Sequence, residues 1–261
     1  MVQSQPEGVA DGLSFGDLVG PQGRSPKVSE RVARQLANYI VHHDLPPGTR
    51  LPNERELVAS FAVGRTTVRE ALRLLETRGA ITIKAGPRGG PVVRRPQPED
   101  LGESLTLILQ FSGASLNDVL EAREALEPMM ARLAAERITE DQLNALAETI
   151  ELMRQNPGDQ DLFLRENQRF HSTVAEATGS TVLRTFNDTL KAIADGAQMG
   201  VSYTERGHAA VAGAHERIQV ALGAHDGQRA EAAMLQHLAD AGAYWRIRFP
   251  SLVKGAVRWI N

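Results

Sequence analysis

Residues 52–95 read PNERELVASFAVGRTTVREALRLLETRGAITIKAGPRGGPVVRR. A short helical pattern, a Gly-bearing turn, an Arg/Thr-rich second helix and a glycine-studded β pair follow one another without interruption. That order specifies a winged helix-turn-helix, which lays one helix in the DNA major groove. Asn53 is a good N-cap and Glu56, three residues on, completes a capping-box pattern for a helix over 53–60. The turn is Phe61, Ala62, Val63 and Gly64, with the glycine expected to take a positive φ at little cost. The second helix, from Arg65 to about Arg78, buries Val68, Ala71, Leu72 and Leu75 and exposes Arg65, Thr66, Thr67 and Arg69 in its first turns.

Upstream, Val32, Leu36, Tyr39 and Ile40 mark one face of a helix that starts at Val28 and stops near Asp44, ahead of Pro46, Pro47 and Gly48. Downstream, 82–84 and 92–95 read as the wing strands. Gly86, Gly89 and Gly90 let the wing tip approach a DNA backbone, and Lys84 and Arg88 supply charge. An ATP-binding loop over 86–90 is excluded, since no Lys-Ser/Thr follows and no helix opens there.

Charge follows the same division. Residues 28–95 hold twelve Lys/Arg against six Asp/Glu, whereas 96–261 hold fifteen against twenty-three. Positive charge gathered in one segment is what phosphate-backbone binding requires. At 261 residues the chain suits two domains, and 42% hydrophobic with 23% charged residues is ordinary for a globular protein. The absence of cysteine excludes disulfides and thiolate metal sites. No apolar run reaches the roughly 18 residues of a membrane span and no signal peptide is evident, so the expected location is the cytoplasm. Residues 1–27, rich in Gly, Pro, Ser and Gln, are expected to form a disordered tail.

Pro96 and Pro98 mark a boundary beyond which everything reads as helix. Breaks near 112–115, Thr139, 157–158, 179–180, 200–204 and 226–227 divide 99–250 into about seven helices of an antiparallel bundle, with 251–261 left as a C-terminal tail. The expected class is therefore mainly α: an N-terminal winged helix-turn-helix followed by an all-α bundle.

Three histidines of that bundle lie on inward apolar stripes of three different helices. His171 shares a stripe with Phe163, Phe170 and Val174; His215 with Val211, Ile218 and Leu222; His237 with Ala230 and Met234. Asn167 precedes His171 by one turn. Taken singly, each histidine suits a hydrogen-bonded core role. Three converging neutral imidazoles make a site for Zn²⁺, Ni²⁺ or another divalent ion, with open positions for water or an anion. His42, His43 and His225 look like surface residues, and His208 is ambiguous. Arg123 falls on the apolar stripe of helix 115–137 and needs an anion there. Glu127, one turn on, offers an internal salt bridge; a carboxylate ligand is the other possibility.

The stretches 47–52 (PGTRLP), 54–57 (EREL), 65–72 (RTTVREAL) and Leu75 with Glu76 resemble the GntR family of bacterial transcription regulators, and the likeness runs through all of 28–95. The resemblance implies that Arg55, Arg65, Thr67 and Arg69 contact DNA, with Thr66 beside them and Gly86 at the wing. Gly64 stands where some relatives carry a hydroxyl residue. The bundle is similar to the FCD ligand-sensing domain of the FadR subfamily of those regulators. The likeness rests on Phe170 and His171 followed by 175–179 (AEATG), on 215–218 (HERI), and on His237 with Leu238. It implies a metal at Asn167, His171, His215 and His237, and an effector-binding Arg123 within 121–127 (EAREALE). Metal-binding relatives typically carry Asp where this chain has Asn167, whose neutral oxygen is the weaker ligand.

The leading expectation is a homodimeric repressor that binds palindromic operator DNA and responds to a small organic acid. A metal-dependent enzyme with an appended DNA-binding domain is the alternative from another class, but Glu216 and Glu166 have the wrong helical phase to act as its general base. A metal-free regulator whose histidines bind the effector directly is the third.

Overall fold

The computed structural model of the chain describes residues 27–86, 89–194 and 200–258. They belong to two compact units, Met1–Arg95 and Pro96–Asn261. All of the expected 1–27 tail except Lys27, and the wing residue Arg88, lie outside the described residues.

The first unit contains α1 (Val28–His42), α2 (Glu54–Phe61), α3 (Arg65–Thr77), β1 (Ile81–Lys84) and β2 (Gly90–Val93). The strands pair antiparallel with Ile81 opposite Val93 and Lys84 opposite Gly90. Their core faces join Val32, Leu36, Leu57, Val68 and Leu72 in one cluster. The capping box starts α2 as expected: Glu56 N donates to Asn53 Oδ1 (3.1 Å) and Asn53 N donates to Glu56 Oε2 (2.9 Å).

The turn corrects one expectation. Its left-handed residue is Ala62 (φ 51°), whereas Gly64 sits at φ −69° as the extended N-cap of α3. An alanine carries the strained conformation, at roughly 1–2 kcal/mol. Gly64 contributes something else: no side chain caps α3, and its first turn holds no acid, so the leading backbone N–H groups stay available to an outside acceptor. In the wing, a Cβ on Gly89 would sit 2.2 Å from the Lys84 carbonyl oxygen, so only glycine closes this hairpin without displacing backbone.

The second unit contains α4 (Pro98–Phe111), α5 (Leu116–Ala135), α6 (Glu140–Gln155), α7 (Gln160–Ala177), α8 (Thr181–Ile193), α9 (Glu205–Gly223), α10 (Gly227–Arg248) and the short α11 (Pro250–Lys254). Breaks read from the sequence are capped helix starts: Ser115, Thr139, Asp159, Ser180, Thr204 and Asp226 each accept a backbone N–H of the helix that follows. The core runs through Phe163, Phe170, Ile218, Leu222 and Met234, all at most 1% exposed. α5 packs along α10, and α7 packs against α5 and α6.

The stretch after 250 is not a tail, at least as far as Arg258. Val253 and Val257 are buried with Leu116, Val119 and Trp245. Leu116 N donates to Gly255 O (3.2 Å) and Val257 N to Ala114 O (2.9 Å). Five helical residues are too few to show a period, so the sequence pattern missed them. No described helix is long and apolar enough to cross a membrane.

Candidate functional site

Helix α3 presents Arg65 and Thr66 to solvent and leaves Thr67 half-buried. Arg55 on α2 is likewise exposed. Among the described residues neither Arg55 nor Arg65 has an ion-pair or hydrogen-bond partner. Arg69 differs, because its Nε lies 3.0 Å from Glu54 Oε2 and 3.2 Å from Oε1. Both partners are well exposed, so the pair is weak and a phosphate could compete for the guanidinium. Gly86, at φ 103°, turns the chain at the end of β1.

In the second unit, the 3.6-residue period of α7, α9 and α10 brings His171, His215 and His237 into one buried cluster. Their ligand-capable nitrogens all lie within 4.8 Å of one another. His237 Nε2 is 3.2 Å from His171 Nε2 and 3.3 Å from His215 Nε2. The cluster is walled by Phe170, whose ring stacks on His215 with centroids 3.8 Å apart and planes 9° from parallel.

Burial disfavours imidazolium at all three. It holds His215 well below the usual histidine range, reinforced by His237 and His171, and pushes His237 down to about 3. His171 is lowered too, by burial first, with Glu127 opposing. The rings are therefore neutral at pH 7.

Glu127 is the residue whose full role the sequence did not disclose. It is 3% exposed. Its Oε1 accepts the Nε–H of Arg123 at 2.6 Å, the internal salt bridge that their one-turn spacing offered as one of two possibilities. Its Oε2 lies 2.5 Å from Nδ1 of His171, which is 44 positions away in the chain. Burial alone would push this carboxyl up, but Arg123 and then His171 hold it well below the usual carboxylate range. Glu127 is thus an anion, and His171 must donate to it through Nδ1–H, which leaves a lone pair on Nε2.

That assignment has a consequence for the cluster. A ring nitrogen carries a proton or a lone pair, never both, so His237 Nε2 cannot donate to one neighbour while accepting from the other. At best one proton is shared between two lone pairs. Three neutral nitrogens crowded in this way suit a shared divalent cation, and the Glu127–His171 pair is the outer support that metal-binding histidines usually have. His215 lacks such support, since its buried Nδ1 has no partner among the described groups. The donor set fits a borderline metal such as Zn²⁺ with three nitrogens and no ligating carboxylate.

A cavity of ≈ 50 Å³ adjoins the cluster. Arg123, Asn167, His171 and His237 line it, together with Glu124, Tyr203 and apolar side chains that include Leu120 and Trp245. The expected Asn167, His171, His237 and Arg123 therefore meet at one cavity, and His215 stands behind it in the histidine cluster. The Arg123 Nη groups and the Asn167 carboxamide have no hydrogen-bond partner among the described residues. Tyr203 Oη accepts the Trp245 indole N–H (2.5 Å), which leaves its own hydrogen to donate. Glu124, also in the lining, pairs with Arg246 at 3.2 Å. Tyr203 and Arg246 belong to no local motif with Arg123, so tertiary packing alone reveals them.

The remaining histidines and acids take other places. His208 is a core residue, stacked on Phe163 (4.1 Å, 10°) and bonded to Gln160. Glu216 is exposed and held by Arg154 at 2.6 Å. Glu166 is buried beside Arg169 and Arg165. Neither acid is tied to the cluster.

Comparison with known proteins finds a family model in each of the two units. Residues 28–89 match the model of bacterial regulatory proteins of the gntR family, and residues 118–240 match the FCD domain. The chain is 30% identical over 230 residues to the HTH-type transcriptional repressor NanR of Salmonella newport, covering 84% of this chain and 85% of that protein. The chain belongs to the GntR family. The NanR of Klebsiella aerogenes is 32% identical over 232 residues, covering 84% and 86%. A solved GntR from Streptococcus agalactiae superposes with a TM-score of 0.59 at 30% identity, over 82% of this chain and 99% of that one. As a GntR regulator with an FCD domain, this protein is a ligand-responsive DNA-binding transcription regulator and not an enzyme.

Proposed function

We propose that this GntR regulator is a cytoplasmic, homodimeric repressor whose helical unit senses a small carboxylate beside a bound divalent metal ion. The NanR relatives are HTH-type transcriptional repressors. Arg55, Arg65, Thr66, Thr67 and Arg69, with Gly86 in the wing, form the proposed DNA-contacting set. Arg65 and Arg55, without partners among the described residues, supply guanidiniums for base edges or phosphates, and the uncapped start of α3 supplies backbone N–H groups for a phosphate. Two heads on one dimer suit a palindromic operator.

The observation that carries the sensor reading is the arrangement of Arg123. Its Nε is held by Glu127, while among the described residues its remaining N–H groups have no partner at a cavity that His171 and His237 also line. A carboxylate would complete the guanidinium's hydrogen bonds in bidentate geometry. The histidines, with Asn167 as a neutral oxygen donor, would hold the metal. When bound, the ion would supply a second positive centre for the same anion.

The test uses a duplex enriched from a random pool by the full-length protein, and a panel of three- to six-carbon acids. An acid that shifts wild-type DNA affinity should lose that effect in Arg123→Lys, which keeps a cation for Glu127 but not the fork geometry. DNA affinity without the acid should stay within about twofold of wild type. An undiminished response in Arg123→Lys and in Arg123→Ala would contradict the assignment.

A further inference from the structure

Glu127 lies on α5, while the histidine it touches lies on α7, 44 positions away in the chain. We infer that Glu127 is a positioning residue: by accepting the Nδ1 hydrogen of His171 it fixes that ring in the one tautomer whose lone pair faces His237 and His215. The inference deepens the proposed metal site and rests on it only for the effect on metal affinity. The tautomer itself is a property of the protein without any ion.

The geometry leaves little freedom. Glu127 Oε1 is engaged at 2.6 Å by Arg123 and Oε2 at 2.5 Å by His171 Nδ1. Both side chains of the Glu127–His171 pair are almost fully buried, at 4% and 2%, so no solvent competes for either oxygen. Arg123 is always charged and donates only, so it needs an oxygen at the near end of residue 127. His171 Nε2 faces His237 Nε2 at 3.2 Å, so whichever hydrogen is absent from Nδ1 must appear inside the cluster. The state of residue 127 is therefore read out at the centre of the three histidines.

This predicts an unusual outcome for the isosteric substitution. In Glu127→Gln, Arg123 Nε–H still requires the amide oxygen, which turns the amide nitrogen toward His171. That nitrogen donates, so His171 Nδ1 becomes the acceptor and its hydrogen moves to Nε2, aimed at His237. Size, shape and burial are conserved, yet the ring's polarity reverses. A nitrogen bearing hydrogen does not ligate a metal, and loss of such an outer partner typically costs 10–100-fold in metal affinity.

The experiment is long-range ¹H–¹⁵N correlation on ¹⁵N-histidine-labelled full-length protein, stripped with chelator at pH 7, with His171 assigned by its disappearance in His171→Gln. Wild type and Glu127→Asp should show Nδ1–H, and Glu127→Gln should show Nε2–H. Titration with Zn²⁺ against a chromophoric chelator should then show 10–100-fold weaker binding in Glu127→Gln. Nε2–H in wild type, or an unchanged tautomer in a folded Glu127→Gln, would overturn the inference. Should Glu127→Gln fail to fold, the wild-type and Glu127→Asp tautomers decide it. Should wild type bind no Zn²⁺, the metal reading falls while the tautomer result still decides the role of Glu127.

Discussion

Arg65→Ala is expected to weaken binding to an enriched cognate duplex by about 10–100-fold, and Arg55→Ala with Arg65→Ala by on the order of 10²–10⁴-fold. A well-placed arginine contact contributes about 1–3 kcal/mol, and widely spaced contacts add approximately. Arg65 opens the uncapped α3 and has no partner among the described residues, so its charge is available to DNA. Arg69→Ala should cost less, because Arg69 gives up its 3.0 Å contact with Glu54 when it engages a phosphate. Fluorescence anisotropy over a salt series checks both statements, since loss of a phosphate contact lowers the salt slope by about one. Arg65→Ala binding within threefold of wild type would remove this residue from the reading surface. The family resemblance alone ranks Arg65 and Arg69 together, and only the folded head separates them.

Phe170→Ala is expected to destabilise the helical unit by about 3–5 kcal/mol, the usual cost of emptying a buried aromatic site. Phe170 is fully buried and lies flat against His215. For a unit of this size such a loss lowers the calorimetric midpoint of its transition by roughly 6–20 °C. The effect reaches the site as well, because His215 Nδ1 has no hydrogen bond among the described groups and the Phe170 ring stacks on its face. Zn²⁺ affinity should therefore fall even in the fraction that stays folded. A midpoint shift under about 2 °C would mean that the cluster's wall is not set by this ring.

Much of this organisation was legible in the chain. The 3.6-residue stripes placed His171, His215 and His237 inward from separate helices, and the i,i+4 spacing of Arg123 and Glu127 offered their ion pair as one of two possibilities. The Asn53 cap located a helix start because the bonds it makes span only three residues. The rest depended on long-range contacts. Glu127 was readable as a partner for Arg123 but not for His171, since the choice of which helix packs opposite α5 is tertiary. His208 carried no clear phase, and its stacking on Phe163 comes from the same kind of packing. Gly64 was assigned the left-handed turn position by composition, but the backbone placed Ala62 there. Short α11 offered no periodicity at all, although Val253 and Val257 close one end of the bundle.

Metal content of untagged protein purified without chelator, followed by Zn²⁺ titration of the stripped protein, tests the sensor most directly. One divalent ion per chain is expected, lost in His215→Ala and in His237→Ala, with a higher melting temperature on adding Zn²⁺ to wild type only. No bound ion, together with a melting temperature that neither Zn²⁺ nor Ni²⁺ changes, would contradict it.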